Sequence, residues 1–342
     1  MKVFEHQQEK EKMAAFGSVF MPEMAMARFD GTAWSQSAIV PSDSISLHPG
    51  AHVLHYASTC FEGLKAFRHE DGSVVIFRMD KNVARMQQSS ELLSLPTFDA
   101  TLLSQMIVDV VRHYAADVPT PPGSMYIRPT HIGTEPAIGK AATPTLTSLL
   151  YVLLSPVGDY FAGGSRALRL LMEDNARCAP HMGMIKSGGN YASALQPTMQ
   201  AKAKYQADQV LFCPNGDVQE TGAANFLLID GNEIITKALD ASFLHGITRD
   251  TILTLARDLG MKVSERELTV DELLERAAKP GTEAALSGTA AVLAPVGTLI
   301  HQGKEYKVGN GEPGSTTAKL RQTLNDIQWG KAEDKHGWLT KV

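Results

Sequence analysis

The sequence predicts an α/β (α+β) protein of two domains, a small α/β domain followed by a larger, β-rich one. Its 342 residues exceed what one ordinary hydrophobic core holds. Helical spacing alternates with β-rich runs in the first half, whereas hairpin patterns dominate the second. Proline and glycine punctuate residues 156–164. We therefore expect domains over residues 1–155 and 167–342, joined by a linker over residues 156–166.

The first domain should begin with short strands and turns over residues 16–68, because its apolar runs there are short. Later segments alternate between period-2 and helical spacing. The predicted strands cover residues 74–77, 125–132 and 146–154. The predicted helices cover residues 82–93 and 102–114.

The second domain combines strand pairs with a few helices, and the Asp230-Gly231 turn indicates a hairpin. Thr269 and Glu272 form a capping box that should open a helix, and Gly260 should end another. We expect an antiparallel or mixed sheet. The predicted strands cover residues 168–172, 209–213, 224–229, 233–236, 283–287 and 291–299. The other predicted helices cover residues 192–205, 248–259 and 316–327.

Composition excludes several classes of function. Hydrophobic residues at 44% and charged residues at 20% are typical of a soluble globular protein, and the net charge of −5 gives no basic surface for nucleic acid. No apolar run is long enough to span a membrane, and the polar N-terminus does not resemble a signal peptide. Three scattered cysteines favour a reducing compartment, so we expect a cytoplasmic protein.

Residues 309–314 match the pattern G-x-G-x-x-G but are poor candidates for a dinucleotide site. Pro313 lacks a backbone N–H, and Glu312 would repel a phosphate. We expect a loop that leads into a helix. The histidines show no metal-ligand spacing, so no metal site is predicted.

The strongest chemical signal is Lys186, which lies between an apolar approach and a Ser-Gly-Gly-Asn-Tyr turn. Partial desolvation favours the neutral amine, which is a nucleophile. Gly188 and Gly189 would allow a tight bend or the close approach of a bound group. Tyr191 follows on the same segment. A surface lysine before a glycine turn is the ordinary alternative.

Four further stretches support a reactive site. Glu220 precedes a strand and could protonate a heteroaromatic nitrogen, although a solvated turn residue is the usual case. Thr248 at a helix start, the Ser-Gly-Thr-Ala turn that contains Thr289, and Arg85 could each bind phosphate. An ordinary N-cap, a plain turn and a solvated arginine are the alternatives.

Together these residues resemble the branched-chain amino-acid aminotransferases, which are fold-type IV enzymes that use pyridoxal 5′-phosphate. The similarity runs over residues 16–328. It is carried by the motifs FGSVF, HYASTCFEGLKAFR, YIRPTHIGTEPAIG, PVGDYFAGG, KSGGNYASAL, QETGAANF, LHGITRD and SGTAA.

The resemblance implies a pseudo-barrel in the second domain and transamination of leucine, isoleucine and valine with 2-oxoglutarate. Lys186 would be the catalytic residue and would bind the cofactor covalently. The other implied cofactor-binding residues are Arg85, Tyr191, Glu220, Ile247, Thr248 and Thr289. The implied substrate-binding residues are Phe16, Tyr56, Phe61, Tyr126, Arg128, Tyr160, Thr289 and Ala290. A homodimer is implied, with Tyr56 reaching the neighbour's site.

Two departures from the family pattern stand out. Residues 291–294 lack the Cys-x-x-Cys that some members carry, and Ala223 replaces a threonine. Three alternatives stay open from the residues: a D-amino-acid aminotransferase, an aminodeoxychorismate lyase, and a non-catalytic protein of the same fold. Tyr126 and Arg128 favour the branched-chain enzyme over the first two. The presence of Lys186 with its partners argues against the third.

Overall fold

The computed structural model describes residues 16–159 and 166–342, and the chain divides into two compact units. The first unit comprises Met1–Ala162, Ile185–Gly188 and Ile327–Val342. The second comprises Gly163–Met184 and Gly189–Asp326. The short segment that carries Lys186 therefore belongs to the first unit. The domain limits expected from the sequence stay a prediction.

The regular elements are numbered in chain order. The strands are β1 (Glu23–Phe29), β2 (Ala38–Pro41), β3 (Thr59–Phe61), β4 (Leu64–Arg68), β5 (Val74–Phe77), β6 (Ser124–Gly133), β7 (Ser148–Val157), β8 (Leu168–Glu173), β9 (Gln209–Phe212), β10 (Glu220–Thr221), β11 (Asn225–Asp230), β12 (Glu233–Thr236), β13 (Lys262–Glu265), β14 (Glu283–Gly288), β15 (Val292–His301), β16 (Lys304–Lys307) and β17 (Leu339–Lys341). The helices are α1 (His52–Tyr56), α2 (Met79–Leu92), α3 (Ala100–His113), α4 (Gly188–Tyr205), α5 (Ile247–Asp258), α6 (Val270–Ala277) and α7 (Ser315–Gln328).

The first unit is built on an antiparallel sheet in the order β17-β5-β4-β6-β7-β1-β2, with β3 also paired to β6. Residues alternate between the two faces of a strand. Met125 and Ile127 of β6 therefore point into the hydrophobic core, which also contains Ile107 of α3. Tyr126 and Arg128 lie on the other face. This alternation places two predicted substrate residues side by side.

The second unit contains a mixed sheet in the order β10-β9-β8-β15-β14-β11-β12-β13, with β16 paired to β15. Strand β8 runs parallel to β9 and β15, and most other pairs are antiparallel. A further pairing between β10 and β11 closes six strands into a barrel-like ring. The α/β fold, the mixed sheet and the pseudo-barrel are confirmed.

Most predicted elements are present within a few residues of the expected limits. Thr269 caps α6 by accepting the N–H of Glu272, and Gly260 follows α5 with a φ of +75°. The predicted turn at Gly188 and Gly189 is wrong. Both glycines lie in the first turn of α4, where glycine is tolerated near a helix N-terminus.

Two short elements, α1 and β17, do not follow from the sequence pattern, because five and three residues are too few to show a period. Strand β7 extends to Val157, two residues into the predicted linker. Across residues 16–159 and 166–342, no helix combines the length and apolar character that a membrane crossing needs.

The G-x-G-x-x-G segment leads into α7, as expected. The carboxylate of Glu283 accepts the backbone N–H groups of Thr316 and Thr317, each at 2.8 Å. A side chain on Gly314 would lie 1.9 Å from the same carboxyl group. The helix N-terminus is thus capped by the protein's own anion.

Candidate active site

The backbone N–H and the backbone carbonyl of Lys186 are both hydrogen-bonded. Its N–H donates to Ser89 Oγ of α2 at 3.2 Å, and its carbonyl accepts the N–H of Phe61 at 3.0 Å. The ammonium nitrogen lies 5.1 Å from the centre of the Phe61 ring, and the residue is half-buried. The apolar surroundings expected from the sequence are thus supplied by an aromatic ring.

The same ring carries a second cation. The guanidinium carbon of Arg128 lies 4.7 Å from the centre of the Phe61 ring and 5.3 Å from that of Tyr126. Arg128 Nη2 donates to the Tyr126 hydroxyl at 3.2 Å. Its buried Nε has no hydrogen-bond partner among residues 16–159 and 166–342. Arg128 is therefore fixed in place with a donor left over.

The aromatic wall extends to Phe16, whose ring meets that of Tyr126 edge-on at 4.9 Å. Tyr56, at the end of α1, donates its hydroxyl to the carbonyl of Ile138. Tyr160 lies outside the described residues. We call the residues that the first unit gathers here the aromatic group: Phe16, Phe61, Tyr126, Arg128 and Lys186.

Two residues near the start of β4 lie against Tyr126, and neither is predicted from the sequence to belong to the site. A side chain on Gly63 would lie 1.9 Å from the Tyr126 hydroxyl, so only glycine leaves room for that phenol. Lys65 stands directly opposite Tyr126 in the β4–β6 pairing and is buried. Burial lowers its pKa to about 8, and the charge of Asp159 opposes that shift.

Arg85, a predicted phosphate ligand, makes a bidentate ion pair with Glu62 within the first unit. Arg85 Nε and Nη2 donate to the two carboxylate oxygens at 2.7 and 2.8 Å. Both side chains are buried. This fork fixes the plane of the guanidinium. Its role toward phosphate stays a prediction.

In the second unit, Glu220 is only 3% exposed and is surrounded by donors. Arg177 Nη2 lies 2.7 Å from Oε1, which also accepts the N–H of Leu244 at 3.2 Å. Asn225 Nδ2 donates to Oε2 at 3.4 Å. Donors of this kind favour the ionised carboxylate. We call Arg177, Glu220, Asn225 and Leu244 the carboxylate group.

Tyr191 lies in the first turn of α4, beside this group. The guanidinium carbon of Arg177 lies 5.9 Å from the centre of its ring, at the limit of a cation–π contact. The structure therefore links two of the predicted cofactor residues, Tyr191 and Glu220, through one arginine.

Ile247 and Thr248 open α5, whose N-cap residue Gly246 makes no side-chain capping bond. A side chain on Gly246 would lie 2.0 Å from Asn225 Oδ1, so Asn225 packs directly against the helix start. Helix N-terminal amides that no side chain caps bind anions well. These residues suit a phosphate.

Thr289 and Ala290 lie in the three-residue turn between β14 and β15, and both are half-buried. Val292 closes this turn with a φ of +61°. A β-branched residue in that region costs on the order of 1–3 kcal/mol and is most often found at binding sites. The buried Ser287 Oγ beside it has no hydrogen-bond partner in the described part of the chain.

The second unit thus meets two chemical requirements of pyridoxal 5′-phosphate. A buried carboxylate paired with an arginine suits a protonated pyridine nitrogen, and the uncapped start of α5 suits a phosphate. The residues present fit the group.

Sequence reasoning missed Glu62, Lys65, Arg177 and Asn225. Lys65 alone left a signal, because a lysine inside an apolar strand is unusual. The roles of the other three depend on partners far along the chain.

Comparison with known proteins gives a consistent result. Residues 59–299 match the family model described as amino-transferase class IV. A probable branched-chain-amino-acid aminotransferase of Streptomyces coelicolor is 40% identical over 95% of this chain and 91% of its own length. Branched-chain-amino-acid aminotransferase 2 of Bacillus subtilis is 37% identical over 96% and 92%.

A solved structure agrees. The branched-chain amino acid aminotransferase of T.th. with pyridoxamine 5′-phosphate superimposes with a TM-score of 0.77 at 27% identity, covering 93% of this chain and 98% of that one. The same enzyme complexed with N-(5′-phosphopyridoxyl)-L-glutamate gives 0.76 at 26% identity over the same shares. The chain belongs to the class IV aminotransferases, in the branched-chain-amino-acid aminotransferase family.

Proposed function

We propose that this protein transfers the amino group of leucine, isoleucine or valine to 2-oxoglutarate, using pyridoxal 5′-phosphate. The observation that carries the proposal is the pair of cations on one aromatic ring. Lys186 and Arg128 both contact Phe61, so an amine and a carboxylate-binding guanidinium flank the same apolar surface.

The enzyme must bind an apolar branched side chain and a carboxylate at the same surface, and this surface suits both. A branched side chain buries its methyl groups against Phe61, Tyr126 and Phe16. The second carboxylate of glutamate or 2-oxoglutarate would instead bind the Arg128 guanidinium and the hydroxyl of Tyr126, which are held together. Lys65, opposite Tyr126, adds positive charge below pH 8. The roles of Tyr160, Thr289 and Ala290 in substrate binding rest on the family resemblance.

When bound, pyridoxal 5′-phosphate supplies the aldehyde that accepts the amino group and the ring that delocalises the electrons left at the substrate Cα. Glu220 would hold a proton on the ring nitrogen, and Tyr191 would donate to the phenolic oxygen. Ile247 and Thr248, at the start of α5, and Thr289 would bind the phosphate, and the family resemblance gives Arg85 the same role. The family resemblance and the fit of these residues support the assignment.

Lys186 has two tasks. Its amine would hold the cofactor covalently, and the same amine would move the proton at the substrate Cα. The hydrogen bonds with Ser89 and Phe61 fix its backbone, so that only the side chain needs to move.

We further propose a cytoplasmic homodimer in which Tyr56 contributes to the neighbour's site. Leu54 and Ile138, next to Tyr56, are 58% and 68% exposed, as expected of residues that a second subunit covers. The free thiols of the buried Cys60 and Cys213 suit a reducing compartment.

The test is a coupled assay of the purified protein with pyridoxal 5′-phosphate, L-leucine and 2-oxoglutarate. We expect glutamate and 4-methyl-2-oxopentanoate in equal amounts, with ping-pong kinetics. K186A should form both products far more slowly than the wild type. Absence of exchange with the wild type, or preferential turnover of D-leucine, would refute the proposal.

A further inference from the structure

Arg177 is a buried arginine to which the sequence pattern assigns no role. Its side chain and that of Glu220 are each 4% exposed, and the two are joined at 2.7 Å. Charged side chains are almost never buried to this extent unless they are paired. Glu220 is therefore the partner that allows Arg177 to be buried.

The local structure holds Arg177 in a fixed position. Ser193 Oγ donates to the carbonyl of Arg177, and Arg177 Nη2 also reaches the carbonyl of Gly183 at 3.3 Å. Ser193 lies close along α4 to Tyr191, whose ring faces the guanidinium. The loop that bears Arg177 and the start of α4 thus form one assembly.

Two further donors that reach Glu220 are neutral. They are the N–H of Leu244 and the amide of Asn225, at 3.2 and 3.4 Å. Neutral donors alone offset little of the cost of burying a carboxylate, which takes up a proton instead when no cation accompanies it. A neutral Glu220 would offer no charge to a ring nitrogen. Arg177, a buried cation 2.7 Å from Oε1, therefore stabilises the negative charge of Glu220.

We propose that Arg177 is a positioning residue that keeps Glu220 ionised and aligned, so that Glu220 can hold the proton on the pyridine nitrogen of pyridoxal 5′-phosphate. Arg177 acts through Glu220 and needs no contact with the cofactor. The inference rests on the proposed cofactor role of Glu220.

The test compares dissociation constants of the apoprotein for pyridoxal 5′-phosphate and for its 1-deaza analogue, which lacks the ring nitrogen. The wild type should prefer the natural cofactor by about 10- to 100-fold, the value of a charge-assisted hydrogen bond. R177M should lose most of that preference, and R177K should keep part of it. R169M is the matched control, since Arg169 pairs with the exposed Glu305.

A double-mutant cycle, measured as the free energy of unfolding, tests the inference even if R177M folds poorly. E220Q removes the buried carboxylate, so the R177M/E220Q protein should be more stable toward urea than R177M alone. Equal destabilisation by R177M in both backgrounds, or equal loss of affinity for both cofactors, would assign Arg177 to packing and overturn the inference. A wild type that binds neither cofactor would refute the proposed function itself.

Discussion

The aromatic group and the carboxylate group differ in how their charged side chains are hydrogen-bonded. In the aromatic group, Arg128 lies on two rings and keeps a buried Nε without a partner in the described residues. In the carboxylate group, Glu220 receives hydrogen bonds from three different segments. A donor without a partner suits a surface that must accept different side chains, whereas a carboxylate held in place by several donors suits one fixed partner. This contrast predicts how variants of each group should fail.

The largest effect should follow removal of the amine from the aromatic group. K186A should lower the turnover number by about 10⁴-fold, the upper range for loss of a general base. Both half-reactions should fall together, because both need the Cα proton to move. Stopped-flow absorbance of the bound cofactor measures this. A K186A protein with more than a tenth of wild-type turnover would contradict the assignment.

Loss of the second cation should separate the two substrates. R128M removes the guanidinium but keeps much of its apolar bulk against Phe61. We expect kcat/KM for glutamate to fall about 10²-fold, as for a truncated buried charge pair, and that for leucine to change less than threefold. Half-reaction rates measure both. R112M, in an exposed ion pair on α3, is the control. Equal losses for the two substrates would remove Arg128 from the carboxylate site.

A smaller effect should follow displacement of the phenol. In G63A the new methyl group meets the Tyr126 hydroxyl at 1.9 Å, so the phenol must move and lose its bond to Arg128. We expect KM for 2-oxoglutarate to rise about tenfold, the value of one hydrogen bond. G139A, whose added methyl would meet no atom within 4 Å, should be neutral. An unchanged KM in G63A would show that the phenol does not bind the carboxylate.

The smallest effect concerns stability at low pH. His131 points to the helix side of β6, bonded to Ser90 and Ser148 at 2.9 and 3.0 Å. Burial lowers its pKa from 6.5 to about 3. Between these values the unfolded chain binds a proton that the folded one excludes, so His131 contributes stability above pH 6.5 that is lost as pH falls toward 3.

The urea midpoint should therefore be lower at pH 5 than at pH 7. His131 contributes a slope of at most about 1.4 kcal/mol per pH unit to the free energy of unfolding plotted against pH. H131Q should flatten that slope relative to the wild type and to the control H301Q. An unchanged slope in H131Q would mean that other groups cause the acid sensitivity.

The sequence predicts the fold well where a pattern is local. The β-rich run of β6 and the N-cap residue Thr269 of α6 depend on neighbouring residues only, and both are confirmed. The turn at Gly188 is wrong because glycine permits a turn without requiring one. Motif residues such as Lys186 and Arg128 could be found because they stand in recognisable stretches. The residues that form ion pairs with the predicted site residues could not be found from the sequence.

Arg177 and Glu62 show why. Arg177 follows β8 and meets Glu220 of β10 because both strands belong to one sheet, and Glu62 meets Arg85 across β4, β5 and the start of α2. Neither pairing has a spacing that a single sequence reveals. Burial is what gives both pairs their importance, and burial is a property of the folded chain.

The most direct test of the account is to locate the amine that binds the cofactor. The protein is saturated with pyridoxal 5′-phosphate, reduced with borohydride, digested and examined by mass spectrometry. The account predicts a phosphopyridoxyl label on Lys186 and none on the buried Lys65. A label on any other lysine, with Lys186 unmodified, would contradict it.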